Sequence, residues 1–392
     1  MKKLVCLLLV LLLLFCATTL PLYASDEETT ASEPVAVENM KIDALSAVLM
    51  EAETGTVLFS QNPDESLPPA SVTKIMTLLL VMEAIESGRI SLDDKVSISE
   101  NAASMGGSQV FLEAGNPYKA GELIKSVIVS SANDSSVCLA ERLFGSESEA
   151  VDKMNERARE WGLEDTLFSN VTGLPKPTQY SCAKDVAIML DKLISHEDYF
   201  RYSSIYLDEL AHAGGNATMM TNTNKLVRFY QGCDGGKTGF TKDAGFCLAA
   251  TAKRGAMRVI GVVIGESDSK QRFADVSALF DHAFNNYSRK ILFDKDELLE
   301  EKIKIRCAFK DLADLKVAKD VYSFTKKGDK SEFTFSIDIK DSIVAPFKCG
   351  EVVGKVTVYK DGAEYRSEDV VVAEDIRKMN AFDGLRKIAD RW

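Results

Sequence analysis

The apolar positions along the chain change period in blocks, and each block predicts its own kind of element. After Lys2 and Lys3 an unbroken apolar run covers residues 4–17, and Leu22-Tyr23-Ala24 follows. A basic start, a short apolar stretch and a small residue predict a secretory signal over residues 1–24, cleaved at Ala24. The run is short for a bilayer span, which needs about 20 residues. Residues 25–40 are acidic, carry Ser, Thr and Pro, and read as a disordered lead-in. Apolar residues 47–50 and 57–59 flank Glu53-Thr54-Gly55 and predict a β-hairpin. From Ser71, apolar Ile75, Leu78, Leu79, Met82 and Ile85 recur at helical spacing until Gly88. Further helices are predicted over 120–129, 135–143, 149–161 and 185–194. Residues 246–251 and 259–264 are continuously apolar and of strand length, which predicts strands covered on both faces. A helix over 272–287 closes this part. It is a helical block plus a sheet whose strands come from both ends of one domain, about 41–290.

Two-residue alternation then takes over in 302–306, 333–339 and 352–359, with turn signals such as Asp361-Gly362 between runs. These predict a small β domain over 292–372. In 374–392 the period lengthens again. Ile376, Met379, Phe382, Leu385, Ile388 and Trp392 form one stripe, opposite Arg377, Lys378, Arg386, Lys387 and Arg391. Such an amphipathic helix suits a membrane interface or a docking place on its own domain.

Composition narrows the function class. With 46% hydrophobic and 27% charged residues the 392-residue chain is globular rather than disordered. Its formal charge of −12 argues against a nucleic-acid partner, because phosphate neutralisation needs Lys and Arg. Six cysteines follow the signal, at 138, 182, 233, 247, 307 and 349, without compact zinc spacing. Buried or unpaired thiols are the simpler reading, although export permits disulfides and Cys307 and Cys349 share the small domain. Only His196, His212 and His282 exist, and no pair has metal-ligand spacing such as H-E-x-x-H, so neither metal nor other cofactor is expected.

Candidate chemistry lies elsewhere. Ser71-Val72-Thr73-Lys74 sets a hydroxyl and an amine three apart at a helix start, on one face. Burial and nearby positive charge lower a lysine's pKa, so a neutral Lys74 can take the serine proton. Ser-x-x-Lys also occurs at Ser181, Ser267 and Ser323, so spacing alone decides nothing. Company decides it. Ser131-Ala132-Asn133 falls between two helices, where a second hydroxyl can relay a proton and an amide can bind a substrate peptide group. Lys237-Thr238-Gly239 occurs once, after Asp234-Gly235-Gly236. Its lysine and threonine can bind a carboxylate, its glycine admits a substrate backbone, and the N–H groups of Phe240 and Ser71 can form an oxyanion hole.

The ordered trio Ser-x-x-Lys, Ser-x-Asn, Lys-Thr-Gly resembles that of penicillin-binding proteins and serine β-lactamases. Residues 69–77 (PASVTKIMT), 169–174 with 179–181 (SNVTGL, QYS) and 234–241 (DGGKTGFT) resemble the low-molecular-mass penicillin-binding proteins, the D-alanyl-D-alanine carboxypeptidases of serine peptidase family S11. That resemblance implies an α/β (α+β) fold: a β-lactamase/transpeptidase-like catalytic domain, a small all-β domain and a membrane-associating C-terminal helix. It implies Ser71 as acyl-enzyme nucleophile, Lys74 as base, Ser131 for proton transfer, and Asn133, Lys237, Thr238, Gly239 and Phe240 on the substrate. Arg272 matches a family arginine near the substrate carboxylate, and Phe240 stands where some members carry histidine. The implied partners are peptidoglycan stems ending in D-Ala-D-Ala, β-lactams as inhibitors and the outer face of the cytoplasmic membrane or the cell wall. Two rivals share parts of the pattern. A β-lactamase needs a water-activating glutamate, and Glu164-Asp165-Thr166-Leu167-Phe168 lacks the asparagine after leucine. A silent wall-binding protein would not need the nucleophile and base.

Overall fold

The computed structural model describes residues 40–389. The expected signal, the lead-in up to residue 39 and the end of the terminal stripe, with Trp392, lie outside the described residues. The first strands, β1 (Ser46–Glu51) and β2 (Val57–Gln61), form the hairpin around Gly55. Helices α1 (Lys74–Glu86), α2 (Ala120–Ser130), α3 (Asn133–Phe144), α4 (Glu147–Glu160) and α5 (Ala183–Ile194) follow. The chain then returns to the sheet with β3 (Cys233–Thr241), β4 (Gly245–Arg254) and β5 (Met257–Glu266), and closes with α6 (Gln271–Asn286).

The sheet order is β2-β1-β5-β4-β3, every neighbour antiparallel, so β3 is an edge. Alternate side chains of each strand enter different cores. Val48, Met50, Ile260 and Val262 pack with α1 to α5, while Ala47, Leu49, Val259 and Val263 pack with Val276, Leu279 and Phe280 of α6. Both faces are covered, which is why these strands are continuously apolar. A short exposed hairpin, Leu207–Ala211 with Ala217–Thr221, turns through the Gly214-Gly215 pair and was not signalled by any apolar alternation.

Strand β6 (Tyr287–Phe293) crosses from the first domain into the second and pairs with Val321–Lys326. Beside this pair stands a six-stranded sheet with its own core of Ile303, Leu315, Val317, Val356, Val358 and Val370. Arg289 of β6 straps the two domains. Its side chain is 3% exposed, and Nη1 reaches Glu53 at 3.0 Å and Glu51 at 3.5 Å. It also donates to the Ala256 carbonyl, and its guanidinium lies 3.9 Å over the Tyr322 ring.

The terminal helix starts later than the 374–392 stripe predicts: among the described residues α7 covers Ala381–Ala389. Ile376, the first residue of the stripe, is instead buried in the β-domain core and pairs its backbone with Phe347. Tertiary pairing overrides helical period there. Helix α7 docks by its polar side, with Lys387 donating to Asp311 and the Ala308 carbonyl. Phe382 and Leu385 are 78% and 69% exposed. All six described cysteines are free thiols.

Candidate active site

The candidate nucleophile sits in a turn prepared by sequence. Pro68 and Pro69 stiffen the approach, Ala70 takes φ +47°, and residues Ala70–Thr73 form a 3₁₀ turn that runs into α1. In a 3₁₀ turn residues i and i+3 eclipse. Lys74 therefore stands directly under Ser71, with Nζ 3.0 Å from Ser71 Oγ, and donates a second bond of 2.5 Å to the Thr172 carbonyl. Lys74 is fully buried. Burial first, and the Lys237 cation second, hold its amine well below the usual lysine range, while Asp134 opposes them. A neutral amine at that distance accepts the Ser71 proton instead of donating one.

The loop that receives Lys74 is held from within. The Asn170 side chain accepts from the N–H groups of Thr172 and Gly173 and donates to the Leu174 carbonyl. Gln179 Oε1 accepts from Ser169 and Asn170 N–H. Thr77 Oγ1 donates to the Val171 carbonyl from the second turn of the nucleophile helix. Gly173 lies so close to the nucleophile turn that a Cβ there would sit 1.9 Å from the Ala70 carbonyl oxygen and 2.8 Å from Ser71 N.

Ser131 and Asn133 occupy the α2–α3 junction. Ser131 ends α2 in the left-handed conformation, φ +63° and ψ +32°, and Asn133 opens α3. Asn133 donates from Nδ2 to the Gly106 carbonyl and from its backbone N–H to that of Ser108. Asp134 is buried, and desolvation raises its pKa; its carboxylate accepts from Val110, Leu112 and Ser135 N–H. Residues 106–112 are thereby tied beside the junction. Ser131 Oγ and Asn133 Oδ1 are buried and have no protein partner. Buried polar atoms are nearly always satisfied, so these two are open to a partner that the chain does not itself supply.

Edge strand β3 forms the opposite wall. Its beginning is pinned by Tyr199, whose hydroxyl accepts from Gly236 N–H, and by Asn224, which donates to the Gly235 carbonyl. Gly239 packs against the nucleophile turn; a Cβ there would stand 3.0 Å from the Pro69 carbonyl oxygen and 3.2 Å from Ser71 N. Lys237 is buried, donates to the Thr238 carbonyl, and is pushed down to about 7 by burial and then by Arg272. Thr238 is buried beside it. Phe240 is 54% exposed and stacks on Phe246 at 4.3 Å. Arg272 donates to the Gly239 carbonyl at 3.0 Å, lies over Phe246 and keeps a buried, unpartnered Nε.

Ser71, Lys74, Lys237 and Gly239 thus converge on one cleft edge. Ser131 and Asn133 keep buried polar atoms without a partner and are not hydrogen-bonded to Ser71, Lys74 or Lys237. The Thr172 carbonyl, Asn170, Asp134 and Tyr199 had no role in the sequence reading. The 169–174 stretch was noticeable as a family-like loop, but a carbonyl contact leaves no residue-type signature. Glu164, half of the β-lactamase resemblance, is an exposed turn residue, and the loop reaches Lys74 through Thr172 instead.

The family model described as Peptidase_S11, D-alanyl-D-alanine carboxypeptidase, matches residues 28–268, and that of the penicillin-binding protein 5 C-terminal domain matches 287–378. The chain is 41% identical over 351 residues to D-alanyl-D-alanine carboxypeptidase DacF of Bacillus subtilis, covering 89% of this chain and 90% of that one. It is 32% identical over 365 residues to DacA of Escherichia coli, covering 90% and 89%. Among solved structures, penicillin-binding protein 5 of Haemophilus influenzae superposes with a TM-score of 0.68 at 30% identity, over 88% of this chain and all of that one. Penicillin-binding protein D2 of Listeria monocytogenes, in its ampicillin-bound form, gives 0.56 at 31% identity over 63% of this chain and 99% of that one.

Proposed function

The chain belongs to the D-alanyl-D-alanine carboxypeptidase family, peptidase S11, and on that premise we propose that Ser71 is its acylated nucleophile and Lys74 the base that activates it. The protein is a serine-type D-Ala-D-Ala carboxypeptidase of the penicillin-binding kind. In this mechanism neutral Lys74 takes the Ser71 proton, and Oγ attacks the carbonyl carbon of the penultimate D-Ala. The N–H groups of Ser71 and Phe240 receive the oxyanion. Lys237 and Thr238 hold the carboxylate of the terminal D-Ala, while Arg272 steadies the strand at Gly239. Asn133 Oδ1 accepts from a substrate amide. The proton passes through Ser131 to the departing amine, free D-Ala leaves, and water then cleaves the acyl ester, returning the proton to Ser71. Penicillin follows the first half of this path. The observation that carries the reading is a fully buried amine, its pKa pressed down, 3.0 Å from a serine hydroxyl.

The test is the position of the covalent adduct. After incubation with benzylpenicillin and proteolysis, mass spectrometry should find the penicilloyl group on the peptide containing Ser71. An adduct on any other serine, or none, removes the assignment.

We further propose export by residues 1–24 and peripheral attachment to the outer face of the cytoplasmic membrane through α7. Support comes from the orientation of that helix, docked by Lys387 with Phe382 and Leu385 outward. A chain ended at Asn380 keeps Ile376 in its core and should lose binding to anionic lipid vesicles that the longer chain shows. Equal binding by both would sink the attachment.

A further inference from the structure

The mechanism leaves one buried carboxyl pair without a task. Glu266 ends β5 and is 0% exposed, yet neither of its carboxyl oxygens meets a donor among the described residues. Its hydrogen-bonding neighbour is another carboxyl, that of Asp275 in α6, itself 4% exposed. Both oxygens of Asp275 already accept: Oδ2 from Asp43 N–H at 2.8 Å and Oδ1 from Gln271 Nε2 at 2.7 Å. Two buried carboxylates in contact cannot both stay ionised. A proton on Glu266, donated to Asp275, removes the repulsion and gives Glu266 the partner that no other group supplies. The further charges bearing on Glu266 are negative as well: Asp43, which pairs with Lys41, and Asp268 in the turn between β5 and α6. Cys247 of β4 feels both Glu266 and Arg272 and, pushed up to about 11 by burial, stays neutral.

The pair sits where three pieces of chain meet. Asp43 belongs to the approach to β1, Glu266 to the end of β5 and Asp275 to the first turns of α6. Arg272 stands three residues before Asp275, so the two are neighbours on the helix surface. Arg272 donates to the Gly239 carbonyl and lies over the ring of Phe246. Phe246 is the residue opposite Glu266 in the β4–β5 ladder. The carboxyl contact therefore fixes the part of α6 from which Arg272 reaches β3.

We propose that Glu266 and Asp275 are positioning residues that share one proton as a latch, holding the start of α6 on the sheet and, through Arg272, the Gly239 end of β3 beside Ser71. The link to activity rests on the acyl-transfer reading above; the link to stability does not. Burial, then the hydrogen bond to Asp275 and its charge, pushes Glu266 up to about 8. The unfolded chain releases this proton in the ordinary carboxylate range, whereas the native protein keeps it to about 8. The latch therefore favours folding most in acid, and its contribution drains away as pH rises across that interval.

Glu266→Gln supplies a donor to Asp275 without the titration. Wild type and variant, both full length, are melted from about pH 5 to about pH 9.5. The variant should gain on the wild type as pH rises, by about 5–10 °C in midpoint near pH 8.5. Asp275→Asn removes the neighbouring charge and should shorten the interval over which stability drains, even if it melts lower throughout. In a second arm, the ratio of Glu266→Gln to wild-type acylation by benzylpenicillin is followed over the same range. Lys74 and Lys237 titrate in both proteins and cancel in the ratio, which should rise about fivefold around pH 8. A melting difference independent of pH overturns the latch. A pH-dependent melting difference with a flat ratio overturns its hold on Arg272. A failure of the acyl-transfer reading looks different: neither protein is modified at Ser71 at any pH, while their melting curves still diverge.

Discussion

Lys74→Ala protein should fold normally and acylate with penicillin about 10²- to 10⁴-fold more slowly than wild type, the usual worth of a positioned general base. Folding should survive because the change removes a buried amine, whose desolvation is a cost to the native state. Lys74→Arg should fail as completely, since a guanidinium stays protonated and cannot accept the Ser71 proton. The wild type has a definite pH signature as well. Only the neutral amine is active, so acylation falls as pH drops through the Lys74 pKa. Burial and Lys237 displace that pKa downward, so the acidic limb lies well below the ordinary lysine range. Lys237→Gln removes the second of those causes and should move the limb toward higher pH, whatever it also does to substrate affinity. Stopped-flow acylation from acid to alkaline pH reads both effects. A Lys74→Ala enzyme within tenfold of wild type would end the role of that residue as base.

Gly173→Ala should be nearly as damaging, though Gly173 carries no chemistry. The new methyl would lie 1.9 Å from the Ala70 carbonyl oxygen, at a residue already at φ +81°, where an L side chain is itself strained. Neither neighbour is a flexible side-chain tip, so the nucleophile turn or the loop must move. A displacement of about 1 Å at a reacting group costs on the order of 10²-fold in rate. Acylation by penicillin should therefore fall by about that factor. The rest of the domain should still melt cooperatively, with a lower midpoint, because its two cores are untouched. Wild-type acylation in this variant would mean that the loop and the nucleophile turn do not need their close approach.

The parts of this molecule that were legible in its residues are those in which one residue type does one job. Ser71, Lys74 and Lys237 are identifiable because hydroxyl and amine chemistry has few substitutes, and the apolar texture of β4 and β5 follows from burial on two faces. What escaped is carried by backbone. The Thr172 carbonyl on Lys74, the left-handed turn at Ser131 and the eclipsed 3₁₀ geometry under Ser71 use atoms that every residue possesses. The terminal helix was overdrawn for the opposite reason. Ile376 obeys the helical period, but its backbone bonds to Phe347 and its side chain fills the β-domain core. Periodicity cannot tell a helical position from a strand position that shares its spacing by chance.

The guanidinium of Arg289 has an implication for anyone wishing to trim the chain. Residues up to Asn286 contain the entire cleft, so the second domain looks dispensable. Yet Glu51 is 0% exposed and lies within reach of that one cation. A shortened protein would lose that cation and leave Glu51 with the two bonds its Oε2 accepts from the Thr54 N–H and hydroxyl. The two domains therefore share a buried charge pair, and a minimal version that keeps β6 as far as Arg289 keeps that pair.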